Sequence, residues 1–335
     1  MGHTRLVGVD DRDDPFPGVG ALGVRVDPVG EDAARRVVLL ASSPPSPCAS
    51  ARGNSGTVGR PTSPSPSDPP RKDTAHPMDI RDFSMDLFSL AGKRAIVTGG
   101  NSGLGQAFSL ALAKAGADVF VPSVVDDDGT TRALVEAEGR RYAFLEVDLT
   151  APDAPTRIVD ACTRALGGID VLVNSAGICL LDDVEAFDRA KWDPMVAVNL
   201  TAPFALGHAV GKHLVAQGSG KIINIASLFA FLGGQWSPAY AATKHGIVGF
   251  TKAYCDELAQ HGVQVNAIAP GYFATKITEQ TRTDPVTNQR VLDHIPAGRW
   301  GDVADLMGAT VFLASGASDY VNGHTLTVDG GYLVR

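Results

Sequence analysis

Cysteines are scarce in this sequence, and their spacing matches no metal site. The four residues, Cys48, Cys162, Cys179 and Cys255, lie far apart along the chain, and the last three cannot all pair with one another. We therefore expect no metal, and a reduced, cytoplasmic setting.

The sequence also lacks a long apolar run, and its later part lacks a basic cluster. The run VVLLA at 37–41 is too short for a secretion signal or a membrane anchor. The formal net charge is −8 at pH 7. This charge argues against nucleic acid and against an anionic membrane surface, so a small-molecule ligand is the expectation.

Apolar periodicity is absent from the first part of the chain, where the prolines concentrate. Twelve of the 21 prolines precede Met78. A Pro/Ser-rich segment of this kind buries too little apolar surface to offset its ordering entropy, so residues 1–77 are predicted to be disordered. An alternative is that translation begins at Met78 or Met85.

From 83 to 335 the sequence alternates short β-branched runs with helical patterns, which predicts one α/β domain. Runs such as AIV and VLV are apolar throughout, as in strands that are covered on both faces. The alternation predicts a doubly wound parallel sheet, the Rossmann fold, whose ligands bind beyond the carboxyl ends of the strands. A long helix is predicted over 191–216, and another near 302–314.

Two small-residue motifs follow predicted strands. TGGNSGLG, residues 98–105, opens a helix after the first strand, where glycines would let the backbone approach a diphosphate at the helix N-terminus. NSAG, residues 174–177, ends the fourth strand and leaves room for a ribose. Glycine-rich turns also occur for packing reasons alone, so neither motif is decisive by itself.

A third motif, SPAYAATKHGIVGF at 237–250, begins a helix with serine at the cap and proline at the first position. Tyr240 and Lys244 are four residues apart and therefore share one face of this helix. They form either a surface pair or a catalytic pair.

With TGGNSGLG, NSAG, NIASLFAF, YAATK and APG in this order, residues 83–335 resemble the short-chain dehydrogenase/reductase family. The resemblance implies NAD(P)-dependent interconversion of a secondary alcohol and a ketone. It implies a catalytic tetrad of Asn199, Ser227, Tyr240 and Lys244. The contacts it implies for the cofactor are Gly99, Asn101, Ser102, Gly103, Leu104, Gly105, Ser123, Asp148, Leu149, Asn174, Ala176, Gly177, Tyr240, Lys244, Pro270, Gly271 and Thr275.

Elementary electrostatics supports the role of the Tyr–Lys pair. A free tyrosine has a pKa of about 10 and is a poor base at neutral pH. A cation about 4 Å away could favour the phenolate by about 4 kcal/mol at an effective dielectric of 20. Lys244 would thus help Tyr240 to act as general acid/base. Ser227 would bind the reacting oxygen, and Asn199 would hold a water that links Lys244 to solvent.

The charges near the second strand predict a preference for NAD(H) over NADP(H). No lysine or arginine occupies Asn101, Ser102, Val124 or Val125, and the acids at 126–128 would repel a 2′-phosphate. Ser123 stands where an acid is typical of NAD binding, and it is neither acidic nor followed by arginine. Asp148 could alternatively serve only as a strand-end turn.

Within the family, the motifs GKIINIAS, VNAIAPGYFAT and IPAGRWG most resemble sugar-acid dehydrogenases acting on 2-deoxy-D-gluconate or 2-dehydro-3-deoxy-D-gluconate. A carbohydrate substrate and a homotetramer are the corresponding expectations. Leu180 and Leu181 stand where those enzymes carry arginines, so a neutral polyol or ketose is expected to serve at least as well as an acid, unless Arg299 binds the carboxylate. The alternatives are a 3-oxoacyl-thioester reductase and a catalytically silent nucleotide-binding protein.

Overall fold

A seven-stranded parallel sheet forms the centre of the computed structural model, which describes residues 79–335. The strand order is β3-β2-β1-β4-β5-β6-β7, and every neighbouring pair is parallel. The strands are β1 (Arg94–Val97), β2 (Asp118–Ser123), β3 (Tyr142–Glu146), β4 (Val171–Asn174), β5 (Gly220–Ile225), β6 (Val263–Pro270) and β7 (Thr325–Val328).

Helices cover both faces of the sheet. They are α1 (Gly103–Lys114), α2 (Thr130–Ala137), α3 (Ala154–Leu166), α4 (Arg189–Val196), α5 (Ala202–Gln217), α6 (Pro238–Leu258), α7 (Glu279–Thr283), α8 (Pro285–His294) and α9 (Met307–Ala314), with a π-helical turn at Ala197–Thr201. This arrangement confirms the predicted doubly wound fold. The predicted disorder of residues 1–77 concerns a segment outside the described residues.

Successive residues of β1 enter different cores, as the alternation of side chains along a strand requires. Val97 belongs to the core that includes Phe108 of α1 and Leu313 of α9. Ile96 belongs to the opposite core, with Ile158 of α3 and helices α5 and α6. Both faces of the strand are therefore buried, which is why its sequence is apolar throughout.

The predicted long helix at 191–216 is observed as α4, the π turn and α5, in continuous succession. Helices α7 and α8 were not predicted. The reason is their shallow packing, since α7 has no buried residue and α8 buries only Val291. Such segments have no apolar stripe for sequence analysis to find. Within 79–335, no helix is long and apolar enough to cross a membrane.

Candidate active site

The glycine-rich loop joins the carboxyl end of β1 to α1 and is tied to the turn after β4. The Thr98 hydroxyl accepts hydrogen bonds from the N–H groups of Ser175 (2.9 Å) and Ala176 (3.0 Å). Gly99 has a φ of +63°, which favours glycine, and its N–H donates to the Pro122 carbonyl of β2 at 2.9 Å. The loop is therefore held between the neighbouring strands.

The same loop fits the diphosphate of a nicotinamide cofactor. A Cβ at Gly105 would lie 2.2 Å from the Gly99 carbonyl oxygen, so only glycine can stand there. The side chain of Ser102, at the N-cap of α1, makes no capping hydrogen bond. The main-chain N–H groups of the first helical turn consequently remain available to an anion. Gly103 and Leu104 begin this turn.

Asn101 connects this loop to the segment that follows β2. Its Nδ2 donates to the carbonyls of Val125 (2.8 Å) and Asp126 (3.1 Å). Its Oδ1 is buried and has no partner. A buried orphan acceptor beside an anion-binding turn is consistent with a ligand that donates a hydrogen bond there.

The predicted adenosine contacts Ser123 and Asp148 both make local hydrogen bonds. Ser123 is buried, and its hydroxyl accepts from the N–H of Val125 at 3.1 Å. Asp148 Oδ1 accepts from the N–H (2.8 Å) and hydroxyl (2.7 Å) of Thr150, and these bonds lower the pKa of its carboxyl. Asp148 thus forms the strand-end turn that the sequence analysis gave as the alternative to a cofactor contact. Within residues 79–335, its other carboxylate oxygen accepts no hydrogen bond and is available to a ligand.

Asn174, at the end of β4, begins a buried polar chain beneath the site. Its Nδ2 donates to Asn224 Oδ1 at 2.8 Å, and Asn224 Nδ2 donates to the hydroxyl of Thr251 at 2.9 Å. The Oδ1 of Asn174 is buried and has no hydrogen-bond partner among the described residues. This residue lines a cavity together with Thr98, Leu149 and Ala176. The cavity lies at the edge where the predicted ribose contacts meet.

Asn199 reaches the site because the helix widens into a π turn at this point. The Ala202 N–H donates to the Ala197 carbonyl, five residues earlier. Pro203 has no N–H, so the Asn199 carbonyl, four residues earlier, has no α-helical donor. Such π turns are frequent at functional sites. The Asn199 side chain is buried and exchanges two hydrogen bonds of 2.8 Å with the main chain of Ile178.

Ser227, Tyr240 and Lys244 come together at the end of β5 and the start of α6. Ser227 ends the loop after β5, and its hydroxyl lies close to the Tyr240 phenol. Lys244 Nζ lies 5.5 Å from the centre of the Tyr240 ring and donates to the Ile225 carbonyl at 2.7 Å. The structure therefore brings together all four residues of the predicted tetrad. Helix α6 begins at Pro238 as predicted, but the Ser237 side chain makes no capping hydrogen bond.

Burial dominates the electrostatics of this pair. It raises the pKa of Tyr240 above its ordinary value, and the neighbouring Ser227 hydroxyl opposes that rise. It lowers the pKa of Lys244 to about 8. The lowering of the Tyr240 pKa that we expected from Lys244 is not observed: burial raises this pKa, because a phenolate in an apolar setting loses its hydration.

Two residues of the candidate site, Cys179 and Tyr272, were not predicted from the sequence. The half-buried Cys179 lies near enough to Tyr240, Lys244 and Tyr272 for a thiolate there to shift the pKa of each. Burial raises the pKa of the Cys179 thiol itself. Tyr272 follows the APG motif and packs its ring edge-on against Trp300 at 5.5 Å. Their place directly after strand-end motifs could have suggested both residues.

The predicted nicotinamide contacts lie after β6. Pro270 ends that strand, and the Gly271 N–H donates to the Val328 carbonyl of β7 at 2.8 Å. The Thr275 N–H donates to the Thr278 hydroxyl at 3.1 Å. These residues hold the segment that leads from the sheet into α7.

Positions 180 and 181, and Arg299, were considered in the sequence analysis as contacts for a substrate carboxylate, and they differ in exposure and in existing partners. Leu180 is half-buried, while Leu181 is 50% exposed. Arg299 forms two hydrogen bonds with the carboxylate of Asp305, at 2.7 and 3.1 Å, and a third with the Trp300 carbonyl. Its guanidinium is thus already engaged, which argues against Arg299 as the carboxylate site.

Comparison with known proteins agrees with this geometry. Residues 99–333 match a family model described as enoyl-(acyl carrier protein) reductase. The uncharacterized oxidoreductase YgcW of Escherichia coli (strain K12) is 65% identical over 253 residues, which cover 76% of this chain and 97% of the relative. The 2-dehydro-3-deoxy-D-gluconate 5-dehydrogenase of the same organism is 47% identical over 252 residues, covering 75% of this chain and 99% of the relative.

Among solved structures, a gluconate 5-dehydrogenase from Burkholderia cenocepacia J2315 in complex with NADP and tartrate is similar. Its TM-score is 0.72 at 37% identity, and the match covers 75% of this chain and 98% of that one. Since the family model spans most of the described residues and the relatives are matched almost from end to end, the chain belongs to the short-chain dehydrogenase/reductase family, as an NAD(P)-dependent oxidoreductase of CH–OH groups.

Proposed function

We propose that this protein interconverts a secondary alcohol and a ketone on a gluconate-type sugar acid, by hydride transfer to or from NAD(P). The observation that carries the proposal is that Ser227, Tyr240 and the buried ammonium of Lys244 lie together at the end of β5 and the start of α6. The relative named 2-dehydro-3-deoxy-D-gluconate 5-dehydrogenase supports the substrate class.

The residues divide the chemistry among them. Tyr240 would transfer the proton at the reacting oxygen, and Ser227 would hydrogen-bond that oxygen and orient it. Lys244 would stabilise the phenolate form of Tyr240 during the transfer. The Asn199 carbonyl, freed by Pro203, would accept a water that passes the proton toward solvent.

The cofactor supplies the hydride-accepting or hydride-donating nicotinamide. Its diphosphate would bind the first turn of α1 at Gly103–Gly105, while Asp148 and Leu149 would lie toward the adenosine. Ser123 offers a buried hydroxyl rather than a charge, and Asp126 is exposed without an ion pair among the described residues. These features support our proposal that NAD(H) is preferred over NADP(H), whereas the solved relative from Burkholderia cenocepacia has NADP bound.

The other activities considered receive less support. A 3-oxoacyl-thioester reductase would use the same tetrad, and the description of the matching family model refers to acyl carrier protein. The curated relatives with 40–48% identity are named as gluconate or deoxygluconate enzymes. A silent binding protein would have no need for the complete tetrad.

A substrate screen tests the proposal. The purified protein is assayed with NAD and NADP, and with their reduced forms, on 2-dehydro-3-deoxy-D-gluconate, 2-deoxy-D-gluconate, 5-keto-D-gluconate and a 3-oxoacyl thioester. We expect cofactor turnover on at least one sugar acid and none on the thioester. Turnover on the thioester alone would contradict the proposal.

We further propose a homotetramer built through α5 and α6. Phe204 of α5 is 49% exposed, although its ring lies 6.3 Å from His208 and 5.9 Å from Tyr254 of α6. An exposed aromatic group on paired helices is typical of a subunit interface. Sedimentation of the wild type and of Phe204→Ser tests this, since the variant should dissociate.

Two other proposals concern the whole chain. The first is that residues 83–335 form the catalytic domain, because the YgcW relative is matched over 97% of its length by 253 residues of this chain. The second is a cytoplasmic location. It is supported by Cys162, Cys179 and Cys255, which are all free cysteines.

A further inference from the structure

Arg282, in the short helix α7, has a buried donor without a partner. Its Nε is buried and forms no hydrogen bond. Within residues 79–335 its guanidinium forms no ion pair and no side-chain hydrogen bond. A charged donor that has lost its water without gaining a protein partner is unfavourable in an isolated chain, and such groups concentrate where a ligand completes the site.

The position of Arg282 follows from the way α7 is attached. The Arg282 N–H donates to the Thr278 carbonyl at 3.0 Å, and the Thr278 hydroxyl donates to the Phe273 carbonyl at 2.6 Å. Residues four apart on a helix share one face, and helical side chains lean toward the N-terminus. Arg282 therefore shares the face of Thr278, which is fastened to the segment after β6. The same segment leaves the carboxyl end of β6, which pairs with β5, and the Ile225 carbonyl at the end of β5 accepts the hydrogen bond from Lys244.

The other cations around this segment have different roles. Arg299 is engaged by Asp305. Lys244 belongs to the catalytic pair. Lys276 lies toward the loop after β2, since its charge contributes, after the hydrogen bonds from Thr130, to lowering the pKa of Asp128.

We propose that Arg282 binds the carboxylate of the sugar-acid substrate through its planar, two-pronged set of donors. This inference rests on the proposed function and names the group that recognises the acid. A guanidinium presents parallel N–H donors that match a carboxylate, which leucine at 180 and 181 cannot do. We therefore expect the enzyme to prefer acids over neutral polyols. This replaces the expectation, based on those leucines, that a neutral substrate would serve at least as well as an acid.

The test compares substrates and variants in the full-length enzyme. The variants are Arg282→Met, Arg282→Lys and, as a matched control, Arg290→Met, which removes an exposed charge from the neighbouring helix α8. Catalytic efficiency is measured on 2-dehydro-3-deoxy-D-gluconate and on its analogue with a hydroxymethyl group in place of the carboxylate. In parallel, calorimetry measures the binding of gluconate and of glucitol to the enzyme loaded with reduced cofactor, a combination that cannot react.

We expect Arg282→Met to lose about a hundredfold in efficiency on the acid and in gluconate affinity, because charge-assisted hydrogen bonds are lost. Efficiency on the neutral analogue should change by less than about threefold, and Arg282→Lys should recover part of the loss because it keeps the charge. Arg290→Met should behave as the wild type, and circular dichroism should show all variants folded.

Different results would overturn the carboxylate site and the proposed function. An Arg282→Met enzyme that retains the wild-type preference for the acid, or that loses both substrates equally, overturns the role of Arg282 while the dehydrogenase activity stands. A wild type that neither binds gluconate nor turns over any sugar acid overturns both proposals. If gluconate binding disappears only in Arg282→Met, the carboxylate site is supported even where 2-dehydro-3-deoxy-D-gluconate is a poor substrate.

Discussion

Asn199 and Ile178 exchange two hydrogen bonds, in which the Ile178 N–H donates to Oδ1 and Nδ2 donates to the Ile178 carbonyl, both at 2.8 Å. The amide of Asn199 is thus committed to the chain directly after the NSAG turn. A Cβ at Gly177 would lie 3.3 Å from Asn199 Oδ1 and 3.9 Å from Lys244 Nζ. The side chain of Asn199 therefore positions this turn beside Lys244, the lysine that we propose as catalytic, and its main-chain carbonyl is the group that we propose for a water.

Replacing Asn199 by leucine should damage both stability and catalysis. The substitution keeps the side-chain volume but leaves the N–H and carbonyl of Ile178 unpaired, at a cost of about 1–3 kcal/mol for each group. We expect a lower urea midpoint and a kcat at least about tenfold lower. Asn199→Asp keeps the acceptor and loses only the donor, so it should fall between leucine and the wild type. Unchanged stability in Asn199→Leu would contradict the positioning role.

Tyr240→Phe should lower kcat by at least about a hundredfold while cofactor binding persists, because the ring remains and the transferable proton is lost. Cofactor binding is measured by fluorescence titration and kcat by absorbance of the reduced nicotinamide. The matched control is Tyr254→Phe on the same helix, whose buried hydroxyl has no hydrogen-bond partner. Removing that hydroxyl should leave both activity and stability intact. Near-normal turnover in Tyr240→Phe would assign the proton transfer to another group.

The buried ammonium of Lys244 should make stability depend on pH above neutrality. Burial lowers its pKa from 10.5 to about 8 in the folded protein. Between these values the unfolded chain binds more protons than the native state, so this group makes the free energy of unfolding rise with pH. Below about pH 8, the full cost of burying the charged ammonium is subtracted from the free energy of unfolding.

Lys244→Met lacks this contribution. From about pH 7.5 to 10, the free energy of unfolding of the wild type should therefore rise by about 2 kcal/mol relative to that of Lys244→Met. Urea titrations at intermediate pH values measure it. A difference that stays constant over that range would show that Lys244 keeps an ordinary pKa.

NAD should be used with at least about tenfold higher kcat/KM than NADP, because the acids at 126–128 repel a 2′-phosphate and no guanidinium faces it from 124 or 125. Val124 is 68% exposed, so Val124→Arg can be accommodated and should raise the efficiency with NADP. Assays at equal concentrations of the two cofactors measure the ratio. A wild type that prefers NADP would refute the charge argument.

Deleting residues 1–77 should leave the activity and thermal stability of the remainder within about twofold and a few degrees of the full chain, because the removed sequence offers little apolar surface for packing. Both chains are purified and compared by kcat/KM and by thermal melting. Insoluble or inactive truncated protein would show that the segment contributes to the domain.

Much of the fold and of the tetrad could be predicted from the sequence. Five strands, β1, β2, β4, β5 and β6, could be predicted because both faces of each are buried, which makes the run apolar. Helices α1 and α6 could be predicted from their cap residues and periodicity. Tyr240 and Lys244 could be paired because a helix places residues four apart side by side. The motif order then located Asn199 and Ser227, although their contacts lie between distant parts of the chain.

Local patterns determined the alternation of strands and helices and the helical pairing of Tyr240 with Lys244, since both are visible in the periodicity of apolar residues and in the helix caps along the chain. Tertiary structure alone decided that Cys179 lies near Lys244 and near Tyr272, that Asp305 engages Arg299, and that within residues 79–335 Arg282 keeps a buried donor without a partner. The first of these relationships joins segments that are far apart in sequence, and the other two depend on how the loops around α7 and α8 fold. Their physical basis is the packing of loops across the carboxyl edge of the sheet, which leaves no periodic trace in the chain.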